Sequence, residues 1–121
     1  MSILEKMATI LPYTVGVNEK GHLTIGGCDV AKLAVRFGTP LYIFDETTLR
    51  GTCAEFRKEF GRRYADTLII YAAKAFLNRA LARIFKQEGL GLDAVSGGEL
   101  SIAKSANFPM DKVYFHGNNK L

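Results

Sequence analysis

The sequence predicts an α/β fold in which short apolar strands alternate with amphipathic helices and pair in parallel. Three observations carry this prediction. Apolar runs centred near Ile70, Leu92 and Tyr114 recur about every 22 residues, the length of one strand plus one helix. Each gap between them holds an apolar stripe of helical period. Of the 121 residues 48% are apolar, which provides for a core and argues against disorder.

Ahead of these units lies a lead-in. "TVGVN" and "HLTIGG" flank the turn-like Glu19-Lys20-Gly21 and read as a hairpin. Asp29 stands where a helix cap belongs. Val30, Leu33, Ala34 and Phe37 then recur at i, i+3, i+4 and i+7, and Gly38 with Pro40 stops that helix. "PLYIFD" follows as an expected strand. From about Glu46 to Gly61, Leu49, Cys53, Phe56 and Phe60 form the stripe expected to be buried, with Arg50, Arg57 and Lys58 pointing elsewhere.

After the charged connection "RRYAD" the pattern becomes regular. The strand "LIIYAA" leads to a helix from about Asn78 to Glu88, with Asn78 as its cap, Leu77, Leu81, Ile84 and Phe85 inward, and Arg79, Arg83 and Lys86 outward. The strand "LGLDAV" follows, then a helix from about Gly97 to Ala106 that opens on the capping box Ser96-Gly-Gly-Glu99, then the strand "KVYFHG". Tyr71 and Phe76 are expected to pack in the core. Ile70, Ala72 and Leu92 or its neighbours are expected on the sheet face away from the helices.

Composition excludes several function classes. The formal charge of +4 is scattered, and Arg62-Arg63 is the only tight basic cluster, so no nucleic-acid footprint is indicated. "MSILEKMATILPYTV" is broken by Glu5, Lys6 and Pro12, which leaves neither a signal-peptide core nor a membrane span and points to a cytoplasmic protein. Cys28 and Cys53 lack C-x-x-C spacing and a nearby His cluster, so neither a metal site nor a disulfide framework is expected.

In parallel α/β architectures ligands gather beyond the carboxyl ends of the strands, where loops and helix N-termini converge. Lys74, Asp93 and His116-Gly117-Asn118 all fall there, on three successive strands. A deprotonated lysine amine at such a place can attack a carbonyl to form a Schiff base. The alternative is a lysine whose stem packs while its ammonium reaches solvent or pairs with Asp93. Spacing alone leaves both open. Two βαβ units do not close a sheet, so the chain is either a small open α/β domain or the opening portion of something longer. It stops on "GNNKL" directly after a strand, which favours the second.

"YAAKAFLNRALARIFKQEGLGLDAVSGGELSIAKSANFPMDKVYFHGNNK" resembles the opening barrel segment of the diaminopimelate decarboxylases, within the alanine-racemase-like, fold-type III class of pyridoxal-phosphate enzymes. The Y-A-x-K-A, L-D-x-x-S-G-G-E-L and H-G-N-N-K motifs occur in the family's order and spacing, and "FGTPLYIFDETTLR" is similar to the family's lead-in. The resemblance implies a partial (β/α)8 barrel over residues 46–121 behind a lead-in of residues 1–45. It also implies pyridoxal 5'-phosphate as cofactor, held covalently as an imine by Lys74, with Asp93 facing the cofactor region. Glu99 fits the family pattern, but its distance from Ser96 explains it as a cap. The class takes the histidine that stacks on the cofactor from a later strand. His116 is therefore expected to be buried on the helix side or to stand behind the residues that touch ligand.

The activity implied is decarboxylation of meso-2,6-diaminopimelate to L-lysine and CO2, by an enzyme that is a homodimer at full length. The phosphate loops, the acidic partner of the pyridine nitrogen and the substrate-binding arginines of the family have no counterpart before Leu121, so the 121 residues alone are expected to be inactive. Two other readings stay open at this stage. One is a related decarboxylase acting on ornithine, arginine or carboxynorspermidine. The other is a non-catalytic module that holds a small ligand.

Overall fold

The computed structural model describes Met7 and residues 9–117. It falls into two compact units, Met1–Thr52 and Cys53–Leu121.

The first unit is built on a three-stranded antiparallel sheet of β1 (Gly16–Val17), β2 (Leu23–Ile25) and β3 (Cys28–Asp29). Gly16 pairs with Thr24 and Val17 with Leu23, which gives the expected hairpin; the Asn18 carboxamide oxygen accepts the Lys20 and His22 N–H groups at 3.0 Å across its turn. The third strand was not foreseen. Gly26 and Gly27 join β2 to β3 with φ of +58° and +75°, the left-handed pair that a tight two-residue hairpin demands.

Asp29 caps helix α1 (Val30–Phe37), its Oδ1 accepting from the Ala31 and Lys32 N–H groups at 3.0 and 3.2 Å. Gly38, at φ +82°, closes the helix with its N–H on the Ala34 carbonyl at 2.8 Å, and the Thr39–Pro40 peptide that follows is cis. The expected strand "PLYIFD" does not form: residues 41–45 join no sheet among the described residues, and Tyr42 is 88% exposed. Alternating apolar residues make a segment able to be a strand, but a strand exists only beside a neighbour.

Helix α2 (Glu46–Gly61) runs from the first unit into the second. Asp45 caps it, accepting from the Thr48 N–H at 3.0 Å and from the Thr48 hydroxyl. Cys53 is buried as expected. Phe56 and Phe60 are not: both are exposed, with their rings stacked on each other at 6.2 Å. The helical phase places them on one side but does not say what covers that side.

In the second unit β4 (Ile70–Ala72), β5 (Gly91–Ala94) and β6 (Val113–Phe115) form a parallel sheet in chain order. Helices α3 (Arg79–Gln87) and α4 (Gly97–Ser105) connect them and contact each other. Tyr71, Leu92 and Val113 are in register on one face, and Ala72, Asp93 and Tyr114 on the other. The Tyr71 ring stacks on Phe85 of α3 at 4.1 Å, so the first of these is the helix face. Leu92 lies fully buried there, so the face away from the helices carries Ile70, Ala72, Gly91, Asp93 and Tyr114 instead. The core is Leu81, Ala82 and Phe85 of α3 and Ala103 of α4 over Leu92 and Ala94 of β5, with Leu90, Ala106 and Phe108 from the loops.

The helix ends follow their sequence signals. The Asn78 side chain accepts from the Leu81 N–H at 2.8 Å. Ser96 Oγ accepts from the Glu99 N–H at 3.2 Å, and Glu99 reaches back to the Val95 N–H at 2.7 Å. Glu88, at the end of α3, also pairs with Arg57 of α2 at 3.1 Å.

Candidate functional site

The carboxyl ends of β4, β5 and β6 lie side by side because the three strands are parallel and in register. Each contributes one polar group. β4 stops at Ala72, and Lys74 sits just beyond it in a short 3-10 turn, Ala73–Ala75, rather than in the strand itself. Ala73 is buried, while Lys74 is exposed. Lys74 forms no ion pair with Asp93 or any other described residue, so the paired-lysine alternative finds no support among them.

Across this turn the Tyr71 hydroxyl donates to the Phe76 carbonyl at 2.8 Å. Burial pushes the Tyr71 phenol above its ordinary range, and a phenol is in any case a donor at neutral pH. Tyr71 thus packs as expected. Phe76 does not: it is exposed, because the chain leaves the sheet in extended form at that residue, with φ −179°. Sequence reasoning gave Tyr71 no part beyond packing, since nothing in spacing announces a side chain that reaches a carbonyl five residues on.

Asp93 is the third residue of β5, paired in register with Ala72 and Tyr114, on the face turned from the helices. Its side chain is 30% exposed. His116 follows β6, and its N–H extends the ladder to the Ala94 carbonyl at 2.8 Å. Strand alternation then sets its ring on the side of Tyr114 and Asp93, with Nδ1 3.7 Å from Asp93 Oδ2. At 72% exposure the His116 side chain is not the buried helix-side residue that one expectation held. It stands beside Asp93 instead. Asn118, Asn119 and Lys120 of the third motif lie outside the described residues.

An accessible primary amine, a carboxylate and an imidazole therefore share one end of one sheet. Among the described residues no group of three His, Cys, Asp or Glu side chains could hold a metal ion. A lysine amine in its deprotonated form is a nucleophile towards an aldehyde, and alanines on either side of Lys74 leave room around it.

The family described as pyridoxal-dependent decarboxylase, pyridoxal binding domain, matches residues 46–121. The chain belongs to this family. The sequence is 48% identical over 107 residues to a diaminopimelate decarboxylase of Bacillus methanolicus, covering 88% of this chain and 25% of that one. It is 45% identical to that of Bacillus subtilis, covering 85% and 24%. Among solved structures it is similar to the diaminopimelate decarboxylase of M. jannaschii in complex with L-lysine, with a TM-score of 0.75, 38% identity and coverage of 90% and 26%. The chain thus spans about a quarter of the length of the curated relatives it matches.

The cofactor that the family description names is a pyridoxal, whose aldehyde calls for a primary amine. The residues present fit it: Lys74 offers that amine in an accessible turn beside the Asp93 carboxylate's strand. Among the described residues no helix is long and apolar enough to cross a membrane.

Proposed function

We propose that this chain is the cofactor-anchoring part of a diaminopimelate decarboxylase, an enzyme that converts meso-2,6-diaminopimelate to L-lysine and CO2. The observation that carries the reading is the placement of Lys74, Asp93 and His116, one from each of the three motifs, at three adjacent strand ends, with Lys74 the only lysine among the described residues directly beyond a strand of the parallel sheet. The relatives' shared name and the L-lysine complex of a structural neighbour support the substrate class.

Bound pyridoxal phosphate supplies an aldehyde for amines and a ring that takes up the electron pair left when a carboxylate departs as CO2. Lys74 is the residue that holds it, through Nζ. Asp93, one strand over, sets a negative charge at the same mouth and orients positively charged groups there. Asp93 stands on β5 and Lys74 in the turn just beyond the neighbouring β4, so both belong to one end of the sheet before any ligand arrives.

The same reading extends to architecture. Residues 46–121 are the opening units of a (β/α)8 barrel, and residues 1–45 are its lead-in. Two features support this: parallel strands in chain order and helices in mutual contact. Assembly of the whole enzyme as a homodimer belongs to the reading as well.

The test is chemical. Borohydride reduction of the protein mixed with pyridoxal phosphate, followed by peptide mapping, is expected to fix a pyridoxyl group on Lys74. A label on Lys104 or Lys120 with Lys74 unmodified would overturn the assignment.

A further inference from the structure

We propose that Tyr71 is a positioning residue for Lys74, acting through its hydroxyl on the turn that carries the amine. The proposal rests on the reading of Lys74 as the lysine that holds the cofactor.

The turn has little of its own to hold it. It is three residues long, its leading residue Ala72 makes no side-chain cap, and Lys74 is flanked by Ala73 and Ala75, neither of which has a side chain able to reach a partner. A single 3-10 turn has few and poorly aligned internal bonds. Tyr71 supplies a tie from outside it. Its backbone belongs to β4, before the turn, and its hydroxyl bonds the Phe76 carbonyl, after the turn, at 2.8 Å. One side chain thus spans the whole turn.

The tie is itself anchored. The Tyr71 ring lies on Phe85 at 4.1 Å with 29° between planes, and Phe85 is buried in α3. The line of support runs from the helix core through two rings to the main chain around Lys74. A lysine stem carries several free torsions, so an ordered turn beneath it reduces what must be fixed when Nζ takes a ligand.

Tyr71→Phe keeps the ring and removes the oxygen. Two measurements on the 121-residue chain test the proposal. Without cofactor, backbone order parameters of residues 74–76 are expected to fall in Tyr71→Phe while those of β5 stay as they are. With pyridoxal phosphate, the midpoint of the absorbance titration and the yield of borohydride-trapped Lys74 are expected to worsen about threefold to tenfold, the worth of one hydrogen bond. Phe85→Leu, which leaves the hydroxyl but loosens its anchor, is expected to weaken trapping by less. Unchanged order parameters, or lower order with unchanged trapping, would overturn the role given to Tyr71. Trapping on another lysine in the wild-type chain would instead remove the reading of Lys74, and the tie would then stand or fall on the order parameters.

Discussion

Nδ1 of His116 stands 3.7 Å from Oδ2 of Asp93, although the two residues are 23 positions apart in the sequence and neither is buried. The sheet makes this contact. Asp93 and Tyr114 are register partners, and His116 follows Tyr114 by two residues on the same face. Asp93→Asn removes the charge that faces the imidazole. The ring nitrogen signals of His116 should then move in heteronuclear NMR, while those of His22, which sits 2.9 Å from Asp29 in the other unit, should not. Unmoved His116 signals would show that the contact is not populated in solution.

Gly91 has no room for a methyl group. A Cβ there would lie 2.8 Å from the Lys112 carbonyl oxygen and 3.3 Å from the Ile70 side chain, so backbone has to give way. Gly91→Ala should destabilise the second unit by about 1–3 kcal/mol, the usual cost of overpacking. Denaturant melts followed by the Tyr71 environment check this, and an unchanged midpoint would contradict the close approach of the strands.

Acid should act first on the lead-in. The His22 side chain, bonded to Asp29, holds that carboxyl down at about 2, and the bonds from Lys32 and Asn18 add to the effect. The folded value lies below the unfolded one of about 3.9, so the stabilisation is present above about pH 4 and is lost as pH falls towards 2. The Thr48 hydroxyl lowers the Asp45 carboxyl in the same direction. Asp29→Asn keeps a capping oxygen but does not titrate. It should flatten the loss of α1 structure between pH 4 and 2, and an identical acid profile in both proteins would refute the argument.

Phe85 carries both the core and the ring beneath Tyr71. Phe85→Ala should cost about 3–5 kcal/mol, and Ser96→Ala, which removes only a cap, about 1 kcal/mol. Thermal or chemical melts that rank the two the other way would mean that the α3 face of the sheet does not dominate stability.

The parts of the fold that were legible are those in which one local signal has one outcome. Asp29, Asn78 and Ser96 each precede a helix and each bond its first turn; the period of Leu81 and Phe85 names the inner face of α3; the spacing of Ile70, Leu92 and Tyr114 gives three parallel strands in order. What escaped depends on partners. Phe56, Phe60 and Phe76 have the right phase or composition for a core, but burial is decided by what packs on them. "PLYIFD" has a strand's pattern and no ladder. Leu92 or its neighbours were expected on the open face, and it is the neighbours Gly91 and Asp93 that lie there, because alternation fixes which residues share a face and not which face meets the helices. Gly26-Gly27 was a hairpin signal in plain view, read as the tail of a strand. At the site, strand ends located Lys74, Asp93 and His116, but the contact of His116 with Asp93 needed the register.

The alternation along β5 has a consequence for how this segment tolerates variation. In a saturation library read twice, once for protein abundance and once for function, adjacent codons should answer to different selections. Leu92 and Ala94 should fail the abundance screen for nearly every replacement, since both are fully buried. Asp93, between them, should pass abundance with many replacements and fail function with most. Three consecutive positions would thus record two independent pressures, interleaved at a period of two, and a sequence profile averaged over the strand would hide both.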